Sequence, residues 1–172
     1  MDKEREQSKF IIQRFDSHIS AANTKGNFLL AFNTFICGGI IANYKNIIGF
    51  TIDQLALKYL NFCLFSIFIL GLVTTFLIMK AVYPYLKSGN SDKEKYHSNI
   101  FFGSIAQHGN DKSFLMAYQE QPDKEVNEDL ARQAYYLAKA LTSKYNALAW
   151  AMRFVFAELV LLFIALILIS TY

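Results

Sequence analysis

Charge is scarce in this 172-residue chain: Asp, Glu, Lys and Arg make up only 18% of it, against 53% hydrophobic residues and 16% aromatics. A disordered chain is thereby excluded, because disorder goes with low hydrophobicity and high net charge. Cysteine is nearly absent as well. Cys37 and Cys63 both fall inside apolar runs, where a lone thiol behaves as a small hydrophobe, so neither a disulfide framework nor a metal site is implied. A net charge of +3, with no run of Lys and Arg interleaved with aromatics, points to no nucleic-acid partner. Also missing are a phosphate loop, a Gly-rich dinucleotide fingerprint, a nucleophile elbow and any pair of histidines at metal-ligand spacing. His18, His97 and His108 are isolated in sequence, and each is read as a surface or hydrogen-bonded residue. Neither an enzyme nor a cofactor is expected.

What the chain does have is apolar length. Three runs, Asn27 to Ala42 with an extension to Ile48, Tyr59 to Met79, and Phe154 to Ser170, are each long enough to cross a bilayer as a helix, and Asp and Glu are missing from all but the last. The first reaches adequate length if Lys45 snorkels to the interface. About two dozen polar, mixed-charge residues precede it, unlike the short basic region of a cleavable signal. Lys and Arg number five before the first run, two between the first and second, and ten from Lys80 to Arg153, so the two sides carry 15 and 2. The positive-inside rule then places the N-terminus and the long middle region in the cytoplasm and the C-terminus outside. The organisation expected is a cytoplasmic N-terminal helix over 1–26, spans over 27–48, 59–79 and 154–170, an external loop over 49–58 and a cytoplasmic helical region over 80–153.

The cytoplasmic parts read as continuations of the spans. Ile12, Phe15, Ile19 and Ala22 recur at helical spacing, and nothing before Gly26 interrupts that helix. At 1.5 Å per residue, a helix of about forty residues reaches roughly 60 Å, much of it outside the bilayer. Pro122, followed by Asp123, Glu125, Glu128 and Asp129, suits a helix start, where carboxylates meet the positive end of the dipole. Beyond it, Leu130, Ala134, Leu137, Leu141, Tyr145, Leu148 and Met152 form an eleven-residue repeat taken twice, the period of a nearly straight helix, with no Gly or Pro before Ser170. Between these helices lie a break near Pro84, a linker from Ser88 to Lys95, the run Ile100-Phe101-Phe102-Gly103 and a short helix around Phe114 to Gln119. Two adjacent phenylalanines should be shielded, so that turn is expected to dock on the long helices. The fold class is an all-α membrane protein, three transmembrane helices with long cytoplasmic helical extensions forming a helical bundle.

Polar residues inside the spans carry weight because they are costly against lipid. Asn33 and Glu158 are expected to face a bundle interior or another subunit, Glu158 pairing with Lys25 or Arg153, lining a water-filled path or reaching the interface. Thr34, Gly38 and Ala42 place small residues at every fourth position of the first span, which suits close approach of another helix.

Three segments then match a known pattern. Asn23-Thr24-Lys25-Gly26-Asn27-Phe28-Leu29-Leu30-Ala31-Phe32-Asn33 resembles the start of the first membrane helix in the Pycsar effector family, with Asn23-Thr24 standing where Ala-Asp is usual and Ala31 where Gly is. Asn99-Ile100-Phe101-Phe102-Gly103-Ser104-Ile105 resembles that family's Phe-Phe-Gly turn, and Asp129 to Gln133 through Lys144-Tyr145 resembles its final cytoplasmic helix. The resemblance covers nearly the whole chain in order. It implies an antiphage effector of the bacterial inner membrane, activated by cyclic CMP or cyclic UMP from a neighbouring pyrimidine cyclase, which impairs the membrane and aborts infection. A homo-oligomer in the lipid bilayer is the expected form. Within the matching motifs, Lys25, Asn99, Phe102, Gly103, Arg132 and Gln133 have chemistry suited to a phosphate or a base. Two other classes compete: an oligomeric small channel or transporter subunit, and a membrane anchor recruiting a protein partner.

Overall fold

A computed structural model describes residues 2–51, 53–84 and 98–171. The linker expected at Ser88 to Lys95, and His97, lie outside these residues. Those described form helices and no strand: α1 (Asp2–Gly49), α2 (Gln54–Val82), α3 (Phe102–Ile105), α4 (Asp111–Glu120) and α5 (Asp123–Thr171). Three of them, α1, α2 and α5, are long and apolar enough to cross a membrane. The all-α membrane fold expected from the sequence is the one the chain adopts, with α1 and α5 extending well beyond their apolar stretches.

Local chemistry sets the helix ends. α1 closes at Gly49 with a tightened turn in which Phe50 and Thr51 donate to the Ile47 and Ile48 carbonyls. The Asp53 carboxylate then accepts from the Leu55 and Ala56 amides and starts α2 ahead of its apolar run. At the far end of α2, Tyr83 is extended because Pro84 follows, and the helix cannot continue. α4 opens on a reciprocal cap between Asn110 and Ser113. α5 opens as Val126 donates to the Pro122 carbonyl, with Asp123 and Glu125 in its first turn. No Gly or Pro interrupts its 49 residues.

The chain divides at Ala21/Ala22, Tyr83/Pro84 and Ser143/Lys144 into two compact units. One holds the apolar parts of α1, α2 and α5. Its interior consists of two apolar clusters, one of Ala22, Leu29, Ile78, Ala81, Ala147, Leu148, Ala151 and Val155, the other of Leu60, Cys63, Leu64 and Ala165. Alanine and cysteine make up half of these residues, while Phe28, Phe35, Phe62, Phe65, Phe76, Phe156 and Phe163 all point outward. In water such a face would be an aggregation surface; in a bilayer the lipid tails solvate it, and small side chains inside let the helix backbones approach. The other unit is drawn from the first part of α1, from α3 and α4, and from the first part of α5.

The buried side of α5 differs from the apolar stripe read in the sequence. Leu130 and Leu148 are buried, but Ala134, Leu137, Leu141 and Tyr145 are only partly so and Met152 is exposed. The buried positions of α5 are Asp129, Leu130, Gln133, Ala140, Lys144, Ala147, Leu148, Ala151, Val155, Glu158 and Ala165, mostly small or polar residues. The stripe of large residues is a flank of the true interface, which is lined by small and polar groups.

Candidate functional site

Around the Phe-Phe-Gly turn the structure builds a buried polar clasp. Ser98 and Asp129 are fully buried and Gln133 nearly so. The Ser98 hydroxyl donates to the Asp129 carboxylate, at 2.8 Å to Oδ1 and 3.1 Å to Oδ2, and the Asn99 amide donates to Asp129 Oδ2 at 3.0 Å. Ser98 Oγ in turn accepts from the backbone N–H groups of Ile100 and Phe101 and from Gln133 Nε2 at 3.1 Å. The Asn99 side chain reaches Gln121 Oε1 at 3.1 Å, fastening the turn to the residue after α4. Asp129 therefore does not belong to the solvated acidic face suggested by its neighbours. Asp123 meets Arg5, and Glu128 meets Lys124, as exposed pairs at 3.9 Å.

The clasp aims the two phenylalanines differently. Phe101, the residue before α3, lies over Gly103, where a Cβ would come within 2.6 Å of its ring. Phe102 leans against Phe101 with ring centroids 4.7 Å apart, but is itself 63% exposed, which corrects the expectation that both rings are shielded. The reason is helical geometry: Phe102 begins the turn and the buried Ser104 follows two residues later, on the opposite side. Of the residues singled out in the motifs, Asn99, Phe102, Gly103 and Gln133 are drawn together by this clasp, and Arg132 is an exposed neighbour of Gln133 on α5. Lys25 is exposed on α1, in the other compact unit. His108 packs edge-on against Phe114.

Within the membrane unit a second polar site forms around Lys144, which is 6% exposed. Its ammonium group donates to Asn23 Oδ1 at 3.1 Å, to the Ala81 carbonyl at 2.6 Å and to the Tyr83 carbonyl at 3.1 Å, one acceptor for each hydrogen. It caps the C-terminal end of α2, where carbonyls lack helical partners and a cation is favoured, and it ties that end to α1. Burial pushes the Lys144 amine below the ordinary lysine range.

Between the two apolar clusters lies a polar level fed by three helices. Asn33 on α1, 1% exposed, donates from Nδ2 to the Gly71 carbonyl and to Thr75 Oγ1, both at 2.9 Å. Thr74 on α2 donates to Glu158 Oε1 on α5 at 2.7 Å. Glu158 thus pairs with a hydroxyl rather than with Lys25 or Arg153, whose guanidinium instead lies 4.6 Å over the Trp150 ring. Close approach occurs at Gly71, where an added Cβ would collide with Cys37 Sγ, and at Gly26, where it would come within 2.7 Å of Val82. Gly38, in the small-residue stripe, meets nothing within 4 Å. Ser98, Lys144, Thr74 and Gly71 were not legible as partners in the sequence; only Lys144 carried a hint, through its place in a family motif. A groove of about 450 Å³ between α1 and α2, lined by residues such as Ile40, Ile41, Phe65 and Phe68, offers a nucleotide phosphate no charged partner.

The chain is thus a helical membrane protein whose apolar unit encloses polar contacts, joined to a second helical unit built on a buried carboxylate clasp. The model of the Pycsar effector protein domain matches residues 7–171, and the chain belongs to that family. It is a transmembrane effector of antiviral defence. A curated relative, the Pycsar effector protein EcPycTM of Escherichia coli, is 23% identical over 163 residues, 89% of this chain and 87% of the relative. No solved structure matches.

Proposed function

We propose that the chain is the membrane-impairing effector of a bacterial antiphage system, activated by a cyclic pyrimidine mononucleotide, cyclic CMP or cyclic UMP. The observation that carries this reading is family membership over residues 7–171 in a chain with three membrane helices. The nucleotide is bound by the helical unit outside the spans, through the exposed Phe102 ring and Arg132, since an aromatic plane suits a base and a guanidinium suits a phosphate. Asn99, Gly103 and Gln133 position that turn through Ser98 and Asp129. Lys25, on α1 in the other unit, anchors its helix at the interface. The protein lies in the inner membrane with its N-terminus in the cytoplasm and its C-terminus outside, following the 15-to-2 bias of Lys and Arg. It works as a homo-oligomer, and its functional partner is a pyrimidine cyclase, met through the product. Because α1 and α5 each contribute to both units without a break, a ligand that prefers one arrangement of the helical unit acts on the same helices that cross the bilayer.

The test is thermal stability of the detergent-purified full chain with cyclic CMP, cyclic UMP, cyclic AMP and cyclic GMP. A ligand at about a hundred times its Kd adds roughly 2.7 kcal/mol of apparent stability. A rise with one pyrimidine nucleotide alone is expected. Folded protein that responds to none of the four overturns the reading.

A further inference from the structure

We infer that the polar level at Asn33, Thr74 and Glu158 is where the spans part on activation, and that Glu158 makes the resulting path prefer monovalent cations over anions; this rests on the proposed function above. Within residues 27–42, 59–79 and 154–170, Glu158 is the one residue among Asp, Glu, Lys and Arg. It is fully buried, and while Oε1 accepts from Thr74, Oε2 has no partner. Placing an ionisable side chain at bilayer depth costs on the order of 3 kcal/mol, so its presence among the spans, where no described cation pairs with it, needs a reason beyond packing. The neighbouring polar groups are an amide at Asn33 and hydroxyls at Thr74 and Thr75, each with the donors and acceptors to hydrogen-bond water instead. Helix contacts of this kind are weak in membranes, about 0.6 kcal/mol each, so separating them is cheap once water enters.

The layers on either side are apolar. Leu29, Ile78 and Val155 lie towards one end and Leu60, Leu64 and Ala165 towards the other, and such constrictions exclude water until they widen. The resting bundle is therefore sealed at two apolar layers with a hydratable level between them. When the layers part, the fixed charge facing the water within the spans is that of Glu158, with Lys144 held at the end of α2 by its three acceptors, and a ring or single site of carboxylate attracts cations and repels anions.

The experiment uses the full chain in vesicles of phosphatidylethanolamine and phosphatidylglycerol under a potassium chloride gradient, with cyclic CMP or cyclic UMP added. Wild type should pass a nucleotide-dependent current with potassium favoured over chloride by about tenfold, falling toward equal permeability in Glu158→Gln, while Glu158→Asp keeps the preference. Glu158→Gln retains an acceptor for Thr74, and its thermal response to nucleotide should match wild type; if that variant fails to fold, a loss of selectivity in Glu158→Asp, which keeps the charge, overturns the inference. Unchanged selectivity in Glu158→Gln, or wild-type release of a large dye without ion preference, also overturns it. A thermal shift with nucleotide but no current sinks this inference and leaves nucleotide binding standing, whereas absence of both sinks the proposed function itself.

Discussion

Among the described residues Asp129 and Lys144 are buried charged groups outside the spans, and hydrogen bonds hold each: a hydroxyl and an amide donate to the carboxylate, while two carbonyls and an amide oxygen accept from the ammonium. Hydrogen bonds to a charged group are worth about 1.5–3 kcal/mol, and a buried partner left unmatched adds its desolvation penalty. Lys144→Met is therefore expected to lower the unfolding free energy by about 2–3 kcal/mol, because it strands the Ala81 and Tyr83 carbonyls. Thermal unfolding in detergent checks this, and a midpoint equal to wild type would remove Lys144 from the scaffold. Ser98→Ala should cost about 1–3 kcal/mol by removing the group that gathers Asp129, Gln133 and two backbone amides, and should also loosen the Phe102 turn. Hydrogen exchange at Ile100 and Phe101 reads that loosening directly, with faster exchange the expected result.

At the level of whole helices, packing is decided by where backbones approach closest. Gly71 on α2 sits against Cys37 and Asn33 of α1, so Gly71→Leu should destabilise the bundle by more than about 2 kcal/mol through overpacking, and pairing Gly71→Ala with Cys37→Ala should recover part of the smaller loss. Gly38→Leu, at a position facing open space, should leave the unfolding midpoint of the chain within about 0.5 kcal/mol of wild type. The pair separates glycine that packs within the chain from glycine that does not. The apolar stripe of α5 teaches the same lesson from the sequence side. Leucine and tyrosine at helical spacing mark a core face in a water-soluble helix, but where a helix enters lipid its outer side is apolar too, and the inward face of α5 is marked mainly by alanine and polar groups instead. Asn33 and Glu158 were legible as inward-facing because lipid penalises them; Thr74 and Gly71, which receive them, were not, since threonine and glycine are common in spans.

For the molecule as a whole, charge asymmetry and helix continuity carry the functional reading. A reporter fused before residue 1 should be active only in the cytoplasm and one fused after Tyr172 only outside, because short loops rich in Lys and Arg stay inside. The reverse result would invert the side from which nucleotide reaches the helical unit and remove the proposed activation route. Phe102→Ala and Arg132→Ala should each weaken nucleotide response by about tenfold or more, Phe102→Ala with the unfolding midpoint near wild type because that ring is exposed; stacking on an aromatic is worth about 1–3 kcal/mol per base. An unchanged concentration dependence would place the base and phosphate elsewhere on the unit.

By itself the sequence determined the membrane class, the three spans, the long helices and the family resemblance, because these depend on apolar length, on the absence of Gly and Pro in α5 and on motifs contiguous in the chain. Only the tertiary structure decided which groups meet. Ser98 lies 31 residues from Asp129, Thr74 lies 84 from Glu158, and Lys144 lies 63 from the Ala81 carbonyl, so those pairings exist only once the helices have packed. The physical reason is that periodicity constrains the direction of a side chain within its own helix, whereas the partner of a buried polar group is set by which other helix arrives at the same level.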